Sequence, residues 1–302
     1  MVRLRKMPQP DLVDLHVHSS VSDGLLSPRD LVRHAKEVGL KAMALTDHDT
    51  VAGVAEALAA GREFGVEVIP GVEISAEFEK GACHILGYFV APAHRGLRKI
   101  LSDARDGRDK RNIRILELLN GLGLRLTMDE MAARVKDGVL TRAHFATVML
   151  EKRYVKTWDE AFERYLGSGK PAYVPRIRVT PEDAIQVIHA AGGLAALAHP
   201  RQLNRSPKET DEWIEKLAAA GLDGVETQTP DHTSNYARRY RAAAARLGLV
   251  ETGGTDWHGY RPAAATETGR HINIHLGLGR GSMAIHYALV EAMKKRLAAR
   301  KK

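Results

Sequence analysis

Cysteine is nearly absent: the 302 residues contain one, Cys83, which excludes an internal disulfide framework and a thiolate-rich zinc site. Any metal site must therefore be built from imidazole and carboxylate, which favours hydrolytic metals over structural zinc. Long apolar runs are missing as well, and no stretch approaches the roughly 18 to 20 apolar residues that a membrane helix needs. The N-terminal MVRLRKMPQP lacks the apolar centre of a signal peptide, so a cytoplasmic protein with no membrane partner is expected. Internal repeats and low-complexity tracts are absent, and no obligate protein partner is evident.

What is present is a hydrophobic content of 44%, enough for a full core, in a length that suits one large α/β barrel or a barrel carrying an inserted domain. The formal charge of +8 makes an anionic partner plausible. Basic residues gather in RGLRKILSDARDGRDKRNIR and in the tail KKRLAARKK, but acidic residues interleave the first run, and each run alone reads as a solvated helix face.

From Val13 to about Phe89 short apolar runs alternate with amphipathic stretches: VDLHVHS, SPRDLVRHAKEVG, KAMALTDH, TVAGVAEALAAGREFG, VEVIPGVEIS and HILGYFV. This βαβαβ rhythm implies parallel strands. Ser27 with Pro28 gives the first helix an N-cap and a first-turn proline, and Gly39 and Gly65 sit where helices should stop. Between Leu97 and Val174 the pattern turns helical without strands, which predicts a helical cap inserted in the barrel. The alternation resumes from PEDAIQVIHAAGG to LVETGGTDWH, and MAIHYALVEAMKKRLAARKK reads as a closing helix. The expected division is 11–96 as the first part of a parallel, closed or nearly closed barrel, 97–175 as the cap, and 176–302 as the second part with the closing helix.

Asp14, His16 and His18 are two apart in the first strand, and the alternation of strand side chains puts them on one face. Any single histidine is more simply a core or surface residue, but His-x-His beside carboxylates at a strand end is a common metal-ligand arrangement. The pattern recurs at other strand ends: Asp47, His48 and Asp49 after KAMAL, Glu73 in VIPGVEIS, His84 opening HILGYFV, His199 after LAALA, and Asp256 with His258 after LVETGG. Barrels of this type gather their chemistry at the C-terminal strand ends. With Asp23, Glu73 and Asp256 supplying negative charge and six imidazoles none, three divalent ions would leave about +3, or about +2 with one bridging hydroxide, which matches a phosphate monoester better than an amide.

In order and approximate spacing, DLHVHSSVSDG, LTDHD, PGVEIS, the lone His84, AHP and TDWH resemble the motifs of the PHP (polymerase and histidinol phosphatase) superfamily. The resemblance implies a distorted (β/α)7 TIM-like barrel with an inserted helical cap. The helical insertion makes the chain similar to the stand-alone bacterial members that act as nucleoside 3′,5′-bisphosphate phosphatases and 5′–3′ exoribonucleases on short RNA. It implies one ion on His16, His18, Glu73 and Asp256, a second on Glu73, His84 and His199, and a third on Asp23, His48 and His258. Manganese is the metal it implies first, with iron or zinc also compatible with these ligands. LTRAHFA and SGKPAYVPRIR resemble the family's phosphate-binding segments, which implies Arg142, His144 and Lys170 as ligands of a second phosphate; Arg178 and Arg201 are weaker candidates.

The reaction so implied is in-line attack on phosphorus by a hydroxide bridging metals held by Asp23 and Glu73, with the leaving oxygen protonated by His258 or a metal-bound water. Asp14, Asp47 and Asp49 are expected to orient imidazoles through the far ring nitrogen. Two other readings are a histidinol-phosphate phosphatase and a noncatalytic nucleic-acid-binding accessory protein. After TDWH the family often ends in a short glycine-rich loop, whereas this chain runs on as HGYRPAAATETGRHINIHLGLGRGS. Its GLGRG lacks the βαβ context of a dinucleotide loop and reads as a turn.

Overall fold

The structure, a computed structural model, describes residues 11–79, 81–133, 140, 142–167, 169–174, 179–259, 274–279 and 283–300. It divides into two compact units, one formed by the described residues up to Ile100 together with those from Val179 onward, the other by Leu101–Arg178. In the first unit the order is β1 (Val13–Val17), α1 (Pro28–Glu37), β2 (Ala42–Leu45), α2 (Val54–Phe64), β3 (Glu67–Ala76) and β4 (Cys83–Tyr88), and the unit boundary falls within α3 (Arg95–Gly121). The second unit continues with α4 (Met128–Ala132), α5 (Arg142–Glu151) and α6 (Trp158–Ala161), which runs into a π-helical turn at Phe162–Leu166. The first unit resumes with α7 (Pro181–Ala190), β5 (Leu194–Leu197), a 3-10 turn (Pro200–Leu203), α8 (Pro207–Ala219), β6 (Gly224–Gln228), α9 (Ser234–Leu247), β7 (Val250–Gly253) and α10 (Ala288–Arg300).

The seven strands form one sheet in sequence order, β1 to β7. β1, β2 and β3 are mutually parallel, as are β5, β6 and β7. β4, however, is antiparallel to both neighbours, which corrects the expectation of an all-parallel sheet. The cause is local. Only residues 77–82 separate β3 from β4, whereas a parallel neighbour needs a crossover of roughly a dozen residues or more. The sheet comes round on itself where Val17 forms a parallel bridge with Trp257, just beyond β7, and His18 N–H donates to the Trp257 carbonyl at 2.9 Å. The result is a nearly closed barrel.

Local signals account for the helix ends. The Ser27 side chain accepts from the Asp30 amide at the start of α1, and Gly65, with φ 72°, ends α2 in the left-handed conformation. β1, β2 and β5 are short and buried throughout, because helices cover one face and the barrel the other. α10 sends Val290 and Met293 into a core cluster with Val13, Leu15, Leu86 and Tyr88. In the helical unit, Ile115, Leu119, Met131, Phe145, Met149 and Leu166 form a separate core, and no strand lies among its described residues. Residues 134–139, the end of one expected helix, and 280–282 of the glycine segment lie outside the described residues.

Candidate metal centre

The site is assembled from strand ends that meet at one end of the barrel. His16 lies near the end of β1 and His18 follows it, His48 follows β2, Glu73 lies within β3, and His199 follows β5. A bridge between His48 and Glu73 sets these two side by side. Asp256 and His258 flank Trp257, so the bridge that closes the barrel also carries them to His16 and His18. His84 stands at the beginning of its strand, not at the end; the reversal of β4 returns it to the same place, opposite Ser75. Gly254 lets the chain pass, since a Cβ there would come within 2.2 Å of the His16 Cβ and 2.4 Å of its backbone nitrogen.

All nine expected ligand side chains fall in one connected cluster. Three overlapping groups could each hold a metal ion: His16, His18, Glu73 and Asp256; His18, Asp23, His48 and His258; and His48, Glu73 and His84. His199 joins through its Nε2, 3.0 Å from Glu73 Oε1. Donor spacing fits cations. Two donors each about 2.1 Å from one ion lie roughly 3.0–3.4 Å apart in octahedral or tetrahedral geometry. His16 Nε2 is 3.1 Å from Glu73 Oε2 and 3.4 Å from Asp256 Oδ1, and His18 Nε2 is 3.2 and 3.1 Å from the same two atoms.

The hydrogen bonding points the same way. His16 Nε2, both ring nitrogens of His18, His48 Nδ1, Glu73 Oε2, His199 Nδ1 and Asp256 Oδ1 are all buried without a well-formed hydrogen bond. Buried polar atoms are ordinarily satisfied, and so many orphans in one place mark a site built for another partner. The donor set of imidazole and carboxylate suits divalent transition metals. His16, His18 and Glu73 are fully buried, whereas Asp23, Asp256 and His258 keep 31%, 27% and 23% of their side chains exposed, so a ligand reaches the cluster from that side.

Charges in the cluster are strongly coupled. Burial opposes the charge on Glu73, but His48, His16 and His84 hold its carboxyl well below the usual carboxylate range. Asp256 and Asp23 are likewise lowered by imidazoles against the effect of burial. Burial opposes protonation of His18, yet Asp256 and Glu73 raise it to about 10, while His48, desolvated and beside other imidazoles, falls to about 4. Three of the non-glycine residues with positive φ belong here as well: Asp49 at 51°, His199 at 23° and Asp256 at 53°. Strain of this kind persists where surrounding structure over-determines it, commonly at functional sites.

The acidic residues around the ligands correct one expectation. Asp14 accepts from Thr255 N–H and Oγ–H and from Gly277 N–H, and Asp47 from Ser19 N–H and Oγ–H and from Ser22 Oγ–H. They hold the ligand loops; neither caps an imidazole. Burial raises Asp14 to about 6 despite those bonds. Asp49 accepts from the Ser75 amide. The carboxylate that reaches a ligand ring is Glu226, which the sequence reading passed over: its Oε1 lies 3.3 Å from His16 Nδ1, and its Oε2 accepts from the His199 amide at 2.7 Å. The only signal for it was an acid inside the expected strand segment DGVETQT.

Arg142, His144 and Lys170 lie in the helical unit. Arg142 donates to the Leu166 carbonyl, with its guanidinium over Phe162 and Tyr173; Lys170 is exposed and His144 half-buried. Arg201, in the barrel unit, donates to the Asp231 carbonyl and lies over Tyr236. Arg178 lies outside the described residues.

Comparison with known proteins places these observations in a family. The model of the PHP domain matches residues 14–166. The chain is 37% identical to a 5′-3′ exoribonuclease of Haemophilus influenzae over 86% of its own length and 94% of that protein's. It is 34% identical to a 3′,5′-nucleoside bisphosphate phosphatase of Chromobacterium violaceum, covering 86% of this chain and 90% of the relative. Among solved structures, a candidate metal-dependent phosphoesterase from Bifidobacterium adolescentis superposes with a TM-score of 0.73 at 30% identity, over 96% of this chain and 98% of that one. The chain belongs to the PHP domain family.

Proposed function

We propose that this protein is a metal-dependent hydrolase of nucleotide phosphoesters, which removes the 3′-phosphate of nucleoside 3′,5′-bisphosphates, degrades short 5′-phosphorylated RNA from its 5′ end, or does both. The observation that carries the reading is the convergence of orphaned, buried imidazole and carboxylate atoms at cation spacing. Two relatives that match 86% of the chain are a 5′-3′ exoribonuclease and a 3′,5′-nucleoside bisphosphate phosphatase.

In this reading three divalent ions, manganese first among them, are held as the resemblance implies: His16, His18, Glu73 and Asp256 for one, Glu73, His84 and His199 for another, and Asp23, His48 and His258 for the third. When bound, such ions activate water near neutral pH and neutralise charge on the phosphoryl group. The protein's own groups do the rest. Glu73 holds five imidazoles around one carboxylate and so fixes the spacing of the whole cluster. His258 Nδ1 donates to the Asp256 carbonyl at 2.8 Å, which leaves Nε2 as the ring's lone pair, 3.2 Å from Asp23 on the accessible side, where the two would share the third ion. The resemblance assigns Arg142, His144 and Lys170 of the helical unit to the second phosphate.

Metal analysis of freshly purified protein, combined with phosphate and nucleotide release from a nucleoside 3′,5′-bisphosphate, 5′-phosphorylated oligoribonucleotides and histidinol phosphate, tests this. Bound divalent metal with release from either of the first two is expected. Release from histidinol phosphate alone would move the protein to that activity, and metal without hydrolysis of any of them would leave a binding protein.

A further inference from the structure

We propose that Glu226 is a positioning residue that sets two metal ligands at once, the ring of His16 on β1 and the backbone of His199 after β5. The inference rests on the metal reading of the site and extends it to a side chain outside the ligand set.

Glu226 lies in β6, fully buried, at the point where its pairing with β7 shifts register between Glu226 and Gln228. Its two oxygens have separate tasks. Oε2 accepts from the His199 N–H at 2.7 Å, and Oε1 lies 3.3 Å from His16 Nδ1. No lysine or arginine pairs with it among the described residues, and each of its oxygens faces one of the two histidines.

A carboxylate only accepts hydrogen bonds, so the His16 nitrogen facing it must carry the proton. In a neutral imidazole the other nitrogen is then a lone pair. That nitrogen is Nε2, the buried orphan 3.1 Å from Glu73 Oε2 and 3.4 Å from Asp256 Oδ1. Glu226 thereby selects the tautomer that can ligate. The same side chain anchors His199 where the backbone takes φ 23°, ψ 65°, a strained conformation that persists only where surrounding structure holds it. An anchored amide keeps the His199 ring aimed at Glu73.

Glu226→Gln preserves the shape and reverses the logic. The amide oxygen satisfies the shorter bond from His199, which leaves an NH2 facing His16 Nδ1. His16 must then accept there and carry its proton on Nε2, toward the metal site. Calorimetric titration of metal-stripped wild-type and E226Q protein with Zn2+ measures the consequence. Zinc affinity should fall roughly 10- to 100-fold in the variant, the usual effect of removing an outer partner of a ligand. Long-range 1H–15N correlation on zinc-loaded, 15N-histidine-labelled wild type supplies a second readout that does not depend on the variant folding. It should show His16 with its proton on Nδ1. An E226Q affinity within roughly twofold of wild type, or a wild-type His16 protonated on Nε2, overturns the proposal while leaving the metal reading intact. Failure of wild-type protein to bind zinc, and Mn2+ in a parallel titration, overturns both.

Discussion

Five imidazoles touch Glu73: His16, His18 and His48 at Oε2, His84 and His199 at Oε1. Glu73→Gln removes the charge and half the accepting capacity from a residue shared by two of the three groups, so kcat/KM should fall on the order of 10²-fold or more, comparable to losing one preorganised electrostatic stabiliser. Arg142→Ala should instead raise KM for a bisphosphorylated nucleotide far more than for a simple aryl phosphate; equal effects on the two would remove Arg142 from substrate binding. Gly254→Ala has a different signature. Its methyl would overlap the His16 Cβ and backbone, and a destabilisation of about 1–3 kcal/mol in denaturant unfolding is expected, with weakened metal binding. The nine residues of the cluster were legible in the sequence because His-x-His and terminal Asp, Glu and His each stand out against apolar strands. Glu226 was not, since a single acid in a strand gives no spacing to read, and its meaning comes from two histidines 210 and 27 positions away in the chain.

At the scale of elements, the alternation of strands and helices was visible in hydrophobic periodicity, but the direction of β4 was not. Strand direction is set by what connects the strands, and HILGYFV reads the same either way. The sequence placed His84 at the start of its strand, which in a parallel sheet would have sent it to the far end; antiparallel pairing resolves that conflict. The far end of the barrel has a clamp of its own. Asp223, just before β6 and fully buried, accepts from the Ala195 amide, pairs with His189 at 2.8 Å, and receives Arg296 and Arg300 of α10 at 3.3 and 2.9 Å. Asp223→Asn should cost about 1.5–3 kcal/mol, near the lower figure because the arginines are 39% and 32% exposed. Burial opposes the charge of Asp223, but His189, the Ala195 amide and Arg300 hold its carboxyl below the usual range. A lowered carboxylate contributes stability above its unfolded pKa of about 3.9 and loses it as pH falls through the lower native value. The gap in unfolding free energy between wild type and the variant should therefore be full at pH 6 and shrink below about pH 4; a gap independent of pH would assign it to packing.

For the molecule as a whole, a nearly closed barrel with one end lined by buried, incompletely bonded carboxylates and imidazoles is stable only in so far as something satisfies them. Cations do so, and an ion that binds only the folded state stabilises it by mass action. Stripping metal with a chelator should lower Tm, and adding excess Mn2+ or Zn2+ should restore it; a Tm indifferent to both would mean that protons alone satisfy the cluster. No described helix is long and apolar enough to cross a membrane.

The most direct measurement is X-ray diffraction from crystals soaked in Mn2+ or Zn2+, with anomalous data at the metal edge. Anomalous peaks among His16, His18, Glu73 and Asp256, and near His84 with His199 and Asp23 with His258, are the predicted result. Crystals that bind no ion there, or ions only at surface carboxylates, would contradict it.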